Sequence, residues 1–242
     1  MPQPTIPRAY VWLARIIRPF LVATTRRTWS GVENLPTGGF IAAANHMTNI
    51  DPLTTGHFLY DNGRPPRVMA KSSLFSVPVL GWFLRHTDQI PVYRGTAQAG
   101  EALIAAEAAL DQGECVLVFP EGTLTRDPDL WPMTAKTGIG RLALTSRAPV
   151  IPVAQWGATD LLGRYGKVLK PIPPKRVKVA AGPPVDLSDL YDRPLDGATL
   201  REATSRVMRA VTQLLGELRG EEPPAEPFDA RRRAPGGGGL TP

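Results

Sequence analysis

The stretch Phe40-Ile41-Ala42-Ala43-Ala44-Asn45-His46-Met47-Thr48-Asn49-Ile50-Asp51-Pro52 decides how the chain is read. Its first five residues are apolar without alternation, and a polar cluster follows at once. A short unbroken apolar run of this kind fits a strand buried on both faces. His46 then lies just past the strand's carboxyl end, the edge where open α/β sheets bind ligands. Histidine exchanges a proton near neutral pH. A turn between positions 46 and 51 brings Asp51 within reach, where a carboxylate fixes the imidazole tautomer and stabilises the imidazolium. By spacing alone, a surface histidine followed by a capping aspartate fits equally well.

Outward from this point, similar β-like runs recur. They are Val68-Met69-Ala70, Ile90-Pro91-Val92-Tyr93, Val116 to Phe119, Val150 to Val153 and Val177 to Ala181. Helical patterns lie between several of them. Residues 97–110 are rich in Ala, Leu and Glu and stop before Gly113. A second helix is expected over 134–146. A third begins near Thr199, where Thr199-Leu200-Arg201-Glu202 fits a capping box. Leu200, Ala203, Val207, Val211, Leu214 and Leu218 continue it at helical spacing. Strands alternating with helices predict an α/β domain over 31–219, with a sheet covered by helices. Residues 220–242, rich in Pro, Gly and Arg, offer little to bury and read as a disordered tail.

Residues 1–30 form a separate expectation. At 100° per residue, Ala9, Leu13, Ile16, Ile17, Phe20 and Leu21 share one helix face, while Arg8, Arg15, Arg18 and Arg26 cluster opposite. No acidic residue precedes Glu33, and Trp12 adds an aromatic. This composition suits a helix lying on an anionic bilayer; a helix packed on its own domain has the same periodicity. Pro19 is expected to kink or split it. No stretch reaches the roughly 18 apolar residues of a spanning helix. Arg15 and Arg18 interrupt what would be the core of a signal peptide.

The 242 residues are 43% hydrophobic and 21% charged, an ordinary globular balance. The lone Cys115 lies in an apolar run and reads as a buried structural thiol. A net charge of +6 favours anionic partners. No RNA-reading aromatic motif or zinc-finger spacing accompanies it, so nucleic acid is not indicated. His57 and His86 are isolated, and no cluster has metal-ligand spacing. Gly138-Ile139-Gly140-Arg141-Leu142-Ala143 imitates a dinucleotide fingerprint, but the residues before it are not an apolar strand. There is no G-x-S-x-G elbow to supply a serine nucleophile.

Three further segments carry weight. In Phe119-Pro120-Glu121-Gly122-Thr123-Leu124-Thr125-Arg126-Asp127, Gly122 permits close backbone approach, and Thr123, Thr125 and Arg126 are donors suited to phosphate. Pro91-Val92-Tyr93-Arg94-Gly95 brings an arginine to another strand end. Pro149-Val150-Ile151-Pro152-Val153 reads as a core strand.

In order, these blocks resemble those of the glycerolipid acyltransferases, especially the 1-acylglycerol-3-phosphate acyltransferases. The match runs from about Gly31 to Val153, and more weakly to Gly182. His46 and Asp51 match the family's His-four residues-Asp motif, with Thr48 where Ser is common. Arg94 matches the second block, and Phe119 to Thr123 match the third. Leu124 replaces a common arginine, for which Arg126 is a substitute. Lys71, Leu74, Phe75, Pro78 and Gly81 resemble the segment between the first two blocks, and Lys136 and Gly138 the stretch after the third.

The resemblance implies a mostly β central sheet flanked by helices, with an N-terminal amphipathic membrane-associated helix. It implies His46 as general base, oriented by Asp51. Arg94, Glu121, Gly122 and Thr123 would hold a glycerol-phosphate head, with Arg126 and Lys71 as further substrate contacts. The segment Leu74 to Leu84 would serve an acyl tunnel or membrane contact. The expected donor is an acyl thioester, acyl-CoA or acyl carrier protein, as co-substrate and with no cofactor. The expected acceptor is a phosphate-bearing glycerolipid, lysophosphatidic acid first, at the cytoplasmic face of the cell membrane. Glycerol 3-phosphate, another lysophospholipid or a different alcohol are alternative acceptors. A non-catalytic lipid-binding peripheral protein is the rival class, and it would need neither His46 nor Asp51.

Overall fold

The computed structural model describes residues 6–93 and 100–230. Its centre is β2 (Phe40–Ala44), in which every residue is buried. Phe40, Ala42 and Ala44 face one apolar layer, and Ile41 and Ala43 the other. A strand covered on both sides has no polar face to alternate with, which is why its sequence is continuously apolar.

Six more strands complete the sheet: β1 (Thr25–Ser30), β3 (Pro66–Lys71), β4 (Ile90–Val92), β5 (Cys115–Val118), β6 (Val150–Trp156) and β7 (Lys175–Ala181). The order is β1-β7-β6-β2-β5-β3-β4. All neighbours are parallel except β6 and β7. The carboxyl ends of β2, β3, β4, β5 and β6 therefore share one edge, with Ala44 level with Val153 and Lys71 level with Val92.

Helices cover both faces. On one lie α4 (Glu101–Asp111), α5 (Gly138–Ser146) and α7 (Gly197–Arg219), whose Leu200, Ala203, Val207 and Val211 are buried at the expected spacing. On the other, α2 (Asp51–Asp61) packs Phe58 and Leu59 against Phe40 and Leu117. Short α3 (Leu80–His86) and α6 (Ala158–Leu161) follow β3 and β6. Cys115 is buried on β5, and burial pushes its thiol pKa up.

The N-terminal segment differs in detail from its reading. Helix α1 spans Arg8–Thr24 and is not split at Pro19, which is exposed, so the carbonyl it frees faces solvent. The Thr24 and Thr25 hydroxyls donate to the Phe20 and Leu21 carbonyls at 2.8 and 2.5 Å, closing the last turn. Residues 25–30 then enter the sheet as an edge strand beside β7. The expected basic face is divided accordingly. Arg26 lies on β1, and Arg18 makes a two-pronged bond to Asp61 of α2 at 2.8 and 3.1 Å. Tyr10 stacks on Tyr60 of the same helix. Leu13, Ile17 and Leu21 line the α1–α2 contact, while Trp12 and Ile16 are 62% and 65% exposed. No helix among the described residues is long and apolar enough to cross a membrane.

Two other readings change. The cap of α7 is Asp196, whose Oδ1 accepts from the Ala198 and Thr199 N–H groups, rather than Thr199; Glu202 pairs with Arg206 instead of reaching back. Asp196 is reached first by a chain rising into the helix, and an aspartate is as good a cap as threonine or better. In the segment read as a tail, residues 220–230 are described and turn back along the domain, with the Thr134 N–H donating to the Phe228 carbonyl. Residues 231–242 lie outside the described residues.

Gly31 joins β1 to the domain with φ +69°, and a Cβ there would stand 1.8 Å from the Ala181 carbonyl oxygen. Both strain and backbone collision oppose any side chain. Gly31→Ala is expected to lower stability by about 2–4 kcal/mol, read as a shifted midpoint with an unchanged slope in urea unfolding.

Candidate active site

The site is built where β2 ends. Pairing with β6 continues one residue further through a side chain. Asn45 Nδ2 donates to the Gln155 carbonyl at 3.1 Å, and the Gln155 N–H donates to Asn45 Oδ1 at 2.9 Å. Gln155 Oε1 also accepts from the Thr54 hydroxyl of α2 at 2.6 Å. Asn45, Thr54 and Gln155 are all buried, so each bond is protected from water.

The chain then turns, and Asp51 fills the turn from within. It is the first residue of α2, where free N–H groups and the helix dipole favour a carboxylate. Asp51 Oδ2 accepts from the Met47 and Thr48 N–H groups at 2.5 and 2.8 Å and lies 3.0 Å from His46 Nδ1. Its Oδ1 has no hydrogen-bond partner among the described residues. Burial pushes the Asp51 pKa up, against the pull of His46 and the two backbone donors. The imidazole stacks on Phe119 at 4.3 Å between centroids, and its side chain remains 16% exposed. With Nδ1–H committed to Asp51, Nε2 is left as the basic nitrogen on the open side. The Thr48 hydroxyl donates to the Leu162 carbonyl at 2.7 Å, a bond that a serine there could also make.

The loop after β5 closes the other side. Glu121 is buried, with Oε1 accepting the His46 N–H at 3.0 Å and Oε2 the Met133 N–H at 3.1 Å. Thr125 N–H donates to the His46 carbonyl at 2.7 Å. The expectation made Glu121 a contact of the glycerol-phosphate head. Each of its oxygens accepts from a backbone donor, which ties the loop after β5 to the His46 turn. Burial pushes its pKa up to about 8, with the two backbone bonds pulling the other way.

The remaining expected residues that are described fall on the same sheet edge, and none is hydrogen-bonded to His46. Gly122 has φ +70° and makes the turn after β5. Thr123 and Arg126 are exposed on that loop, and Lys71 is exposed at the end of β3. Arg94 lies outside the described residues; β4, which leads to it, ends at Val92. Leu124 is buried, so the position where an arginine is common turns inward here. The fingerprint-like Gly138 segment opens α5 after a long loop from β5, not directly from a strand, which removes the dinucleotide reading. No group of three or more metal-ligating side chains occurs among the described residues. Sequence reasoning missed Asn45, Thr54 and Gln155. Gln155, a lone amide in the apolar run Val150–Trp156, was the available signal.

The sequence profile of the family described as Acyltransferase matches residues 26–156, more than half of the chain. The chain belongs to this acyltransferase family. Among curated relatives, it is 31% identical over 158 residues to the 1-acyl-sn-glycerol-3-phosphate acyltransferase of Saccharomyces cerevisiae, covering 59% of this chain and 50% of that one. A chloroplastic enzyme of the same name from Brassica napus is 27% identical, over 64% of this chain and 43% of its own. The Bacillus subtilis enzyme of that name is 29% identical, over 77% and 84%. The chain thus spans half or less of the first two relatives. The crystal structure of the 1-acyl-sn-glycerophosphate acyltransferase of Thermotoga maritima superposes with a TM-score of 0.62 at 23% identity, over 88% of this chain and 82% of that one. That likeness establishes the acyltransferase fold.

A buried carboxyl with a raised pKa makes the fold sensitive to pH. The Glu121 value rises from an ordinary 4.5 to about 8 on folding, so the folded state holds its proton more tightly. The associated stability is fully present below about 4.5 and is lost as pH rises through about 8. Glu121→Gln is therefore expected to gain on the wild type between pH 5 and pH 8, by on the order of 1–3 kcal/mol. Urea unfolding of both proteins at the two pH values measures this. A difference that stays flat with pH would show that Glu121 is ionised throughout.

Proposed function

We propose that this acyltransferase moves a fatty acyl group from a thioester, acyl-CoA or acyl carrier protein, to the free hydroxyl of lysophosphatidic acid. The observation that supports this most is the 3.0 Å contact between His46 Nδ1 and the buried Asp51, at the carboxyl edge of the sheet. The curated names of its relatives point to the same acceptor.

In this reading His46 Nε2 takes the proton of the acceptor hydroxyl as that oxygen attacks the thioester carbonyl. The carbon–sulfur bond breaks as the tetrahedral intermediate collapses, and the thiolate leaves with the proton from His46. Asp51 holds the tautomer and offsets the positive charge on the ring. Cys115 is buried and its thiol is not activated, so it does not serve as a nucleophile. Glu121 is a positioning residue that holds the His46 backbone. The phosphate falls to exposed cations of the same edge, Arg126 and Lys71, with Arg94 assigned by resemblance. The outward side of α1, with Trp12, Ile16, Arg8 and Arg15, rests on an anionic membrane surface, at the cytoplasmic face of the membrane.

His46→Ala is expected to lower kcat/KM by about 10²- to 10⁴-fold, and Asp51→Asn to lower it heavily through loss of orientation. Circular dichroism would confirm that each variant folds. The assay is purified protein with labelled acyl-CoA and a panel of acceptors, with products and positions read by mass spectrometry. A folded His46→Ala protein working at the wild-type rate would overturn the mechanism.

Arg94→Ala and Arg126→Ala are expected to raise the acceptor KM roughly tenfold to a hundredfold, as loss of a charge-assisted bond does, with the donor KM nearly unchanged. If a phosphate-free alcohol is the best acceptor, and neither variant affects it, the acceptor assignment is wrong.

A further inference from the structure

The segment between α6 and β7, residues 162–174, is absorbed by none of the chemistry above. It is unusual in what it exposes. Tyr165, Val168 and Ile172 are 68%, 74% and 85% exposed, and Leu169 is exposed beside them. Arg164, Lys167, Lys170 and Lys175 are interleaved with them, and no acidic residue occurs between Asp160 and Asp186. Lys167 and Lys170 are exposed and have no ion-pair partner among the described residues. Alternating exposed apolar and cationic side chains match the boundary between acyl chains and anionic headgroups.

Its position is as informative as its composition. The Leu162 carbonyl accepts the Thr48 hydroxyl from the His46–Asp51 turn at 2.7 Å. An Arg164 guanidinium nitrogen donates to the Asp127 and Pro128 carbonyls of the loop that carries Glu121. At its far end, Lys175 is level with Thr25, where α1 gives way to β1. The segment thus bridges the carboxyl end of α1 and both loops of the site. The Lys170 N–H bond to the Leu161 carbonyl at 2.8 Å closes its base, so the apolar tips project from a fixed frame.

We propose that residues 164–175 form a second membrane-docking element, which seats the His46 edge of the sheet on an anionic bilayer. It rests on the lipid-acceptor reading for its purpose, and on its own exposed chemistry for its existence. It is separate from α1 in sequence, lying in the connection between α6 and β7. Its partner is a phospholipid surface carrying negative headgroups, because neutral lipid would leave the lysines unanswered.

The test uses the full chain. Val168→Cys is labelled with an environment-sensitive dye; the native Cys115 is buried and does not compete. Ile104→Cys, on α4 and 68% exposed, is the control. With vesicles of phosphatidylcholine and phosphatidylglycerol, the dye at 168 is expected to shift to the blue, and the dye at 104 is not. The variants Val168→Ser with Ile172→Ser, and Lys167→Gln with Lys170→Gln, are expected to weaken vesicle co-sedimentation roughly tenfold or more. They should slow acylation of a long-chain acceptor held in vesicles. A short-chain acceptor dissolved as monomer should be used within about twofold of the wild-type rate. Equal loss on both acceptors would mark the segment as structural and overturn the proposal. A dye at 168 that stays in water, on a protein that acylates lysophosphatidic acid, overturns the docking element and leaves the functional reading intact. A blue shift on a protein that acylates no lipid acceptor supports docking and overturns the functional reading.

Discussion

Asp51 Oδ2 draws three donors into one buried point: the His46 ring and the N–H groups of Met47 and Thr48. The rest of the site is arranged around keeping that point dry and fixed. A carboxylate taken out of water costs several kcal/mol unless hydrogen bonds replace its hydration. The turn supplies them because it folds the Met47 and Thr48 N–H groups, which precede α2, back onto the carboxylate that opens the helix. The helix is in turn held against β6 by Thr54 and Gln155. A residue as remote as Gln155 thereby contributes to the orientation of an imidazole it never touches.

Glu121 applies the same solution from the opposite side. Two carboxylates near one histidine repel each other, and the Asp51 charge helps to raise the Glu121 pKa. Each is met by backbone donors rather than by a lysine or arginine, among the described residues. A fixed cation would settle both charges but would also disfavour a positive charge on the neighbouring imidazole, which the proposed role of His46 requires. Backbone dipoles stabilise the carboxylates without that penalty.

Much of this was legible in the sequence because the central strands are covered on both faces. Phe40 to Ala44, Val150 to Val153 and Val177 to Ala181 read as strands from their apolar runs, and the His46 cluster followed at the correct edge. The edge strand β1 was not legible. Its pattern, Thr-Arg-Arg-Thr-Trp-Ser, is mostly exposed and acquires meaning only from β7 beside it. Arg18 likewise looked like part of a solvent face until Asp61, 43 residues away, supplied its partner. The two backbone bonds of Glu121 were not legible, since composition around a strand end does not tell which way a carboxyl group turns. Unbroken apolar runs for the buried strands and helical periodicity for α7 were the rules that succeeded, and those that failed needed a partner distant in sequence.

On the proposed function, a base at a sheet edge would also have to meet a substrate that resists leaving its phase. Extracting an acyl chain costs about 0.8 kcal/mol per CH₂, so a long-chain acceptor cannot be lifted far from the bilayer before reaction. Under that reading the base would come to the hydroxyl at the headgroup level. The topology is consistent with this, and no helix among the described residues is long and apolar enough to cross a membrane. The parallel strands put His46, Glu121 and Lys71 on one edge, and the antiparallel pair β6–β7 returns the chain to that edge, where residues 162–174 form its connection. A parallel β7 would have required a crossover and carried this connection across a face of the sheet. The single antiparallel pairing is therefore the topological step that places an apolar, cationic loop beside the His46–Asp51 turn.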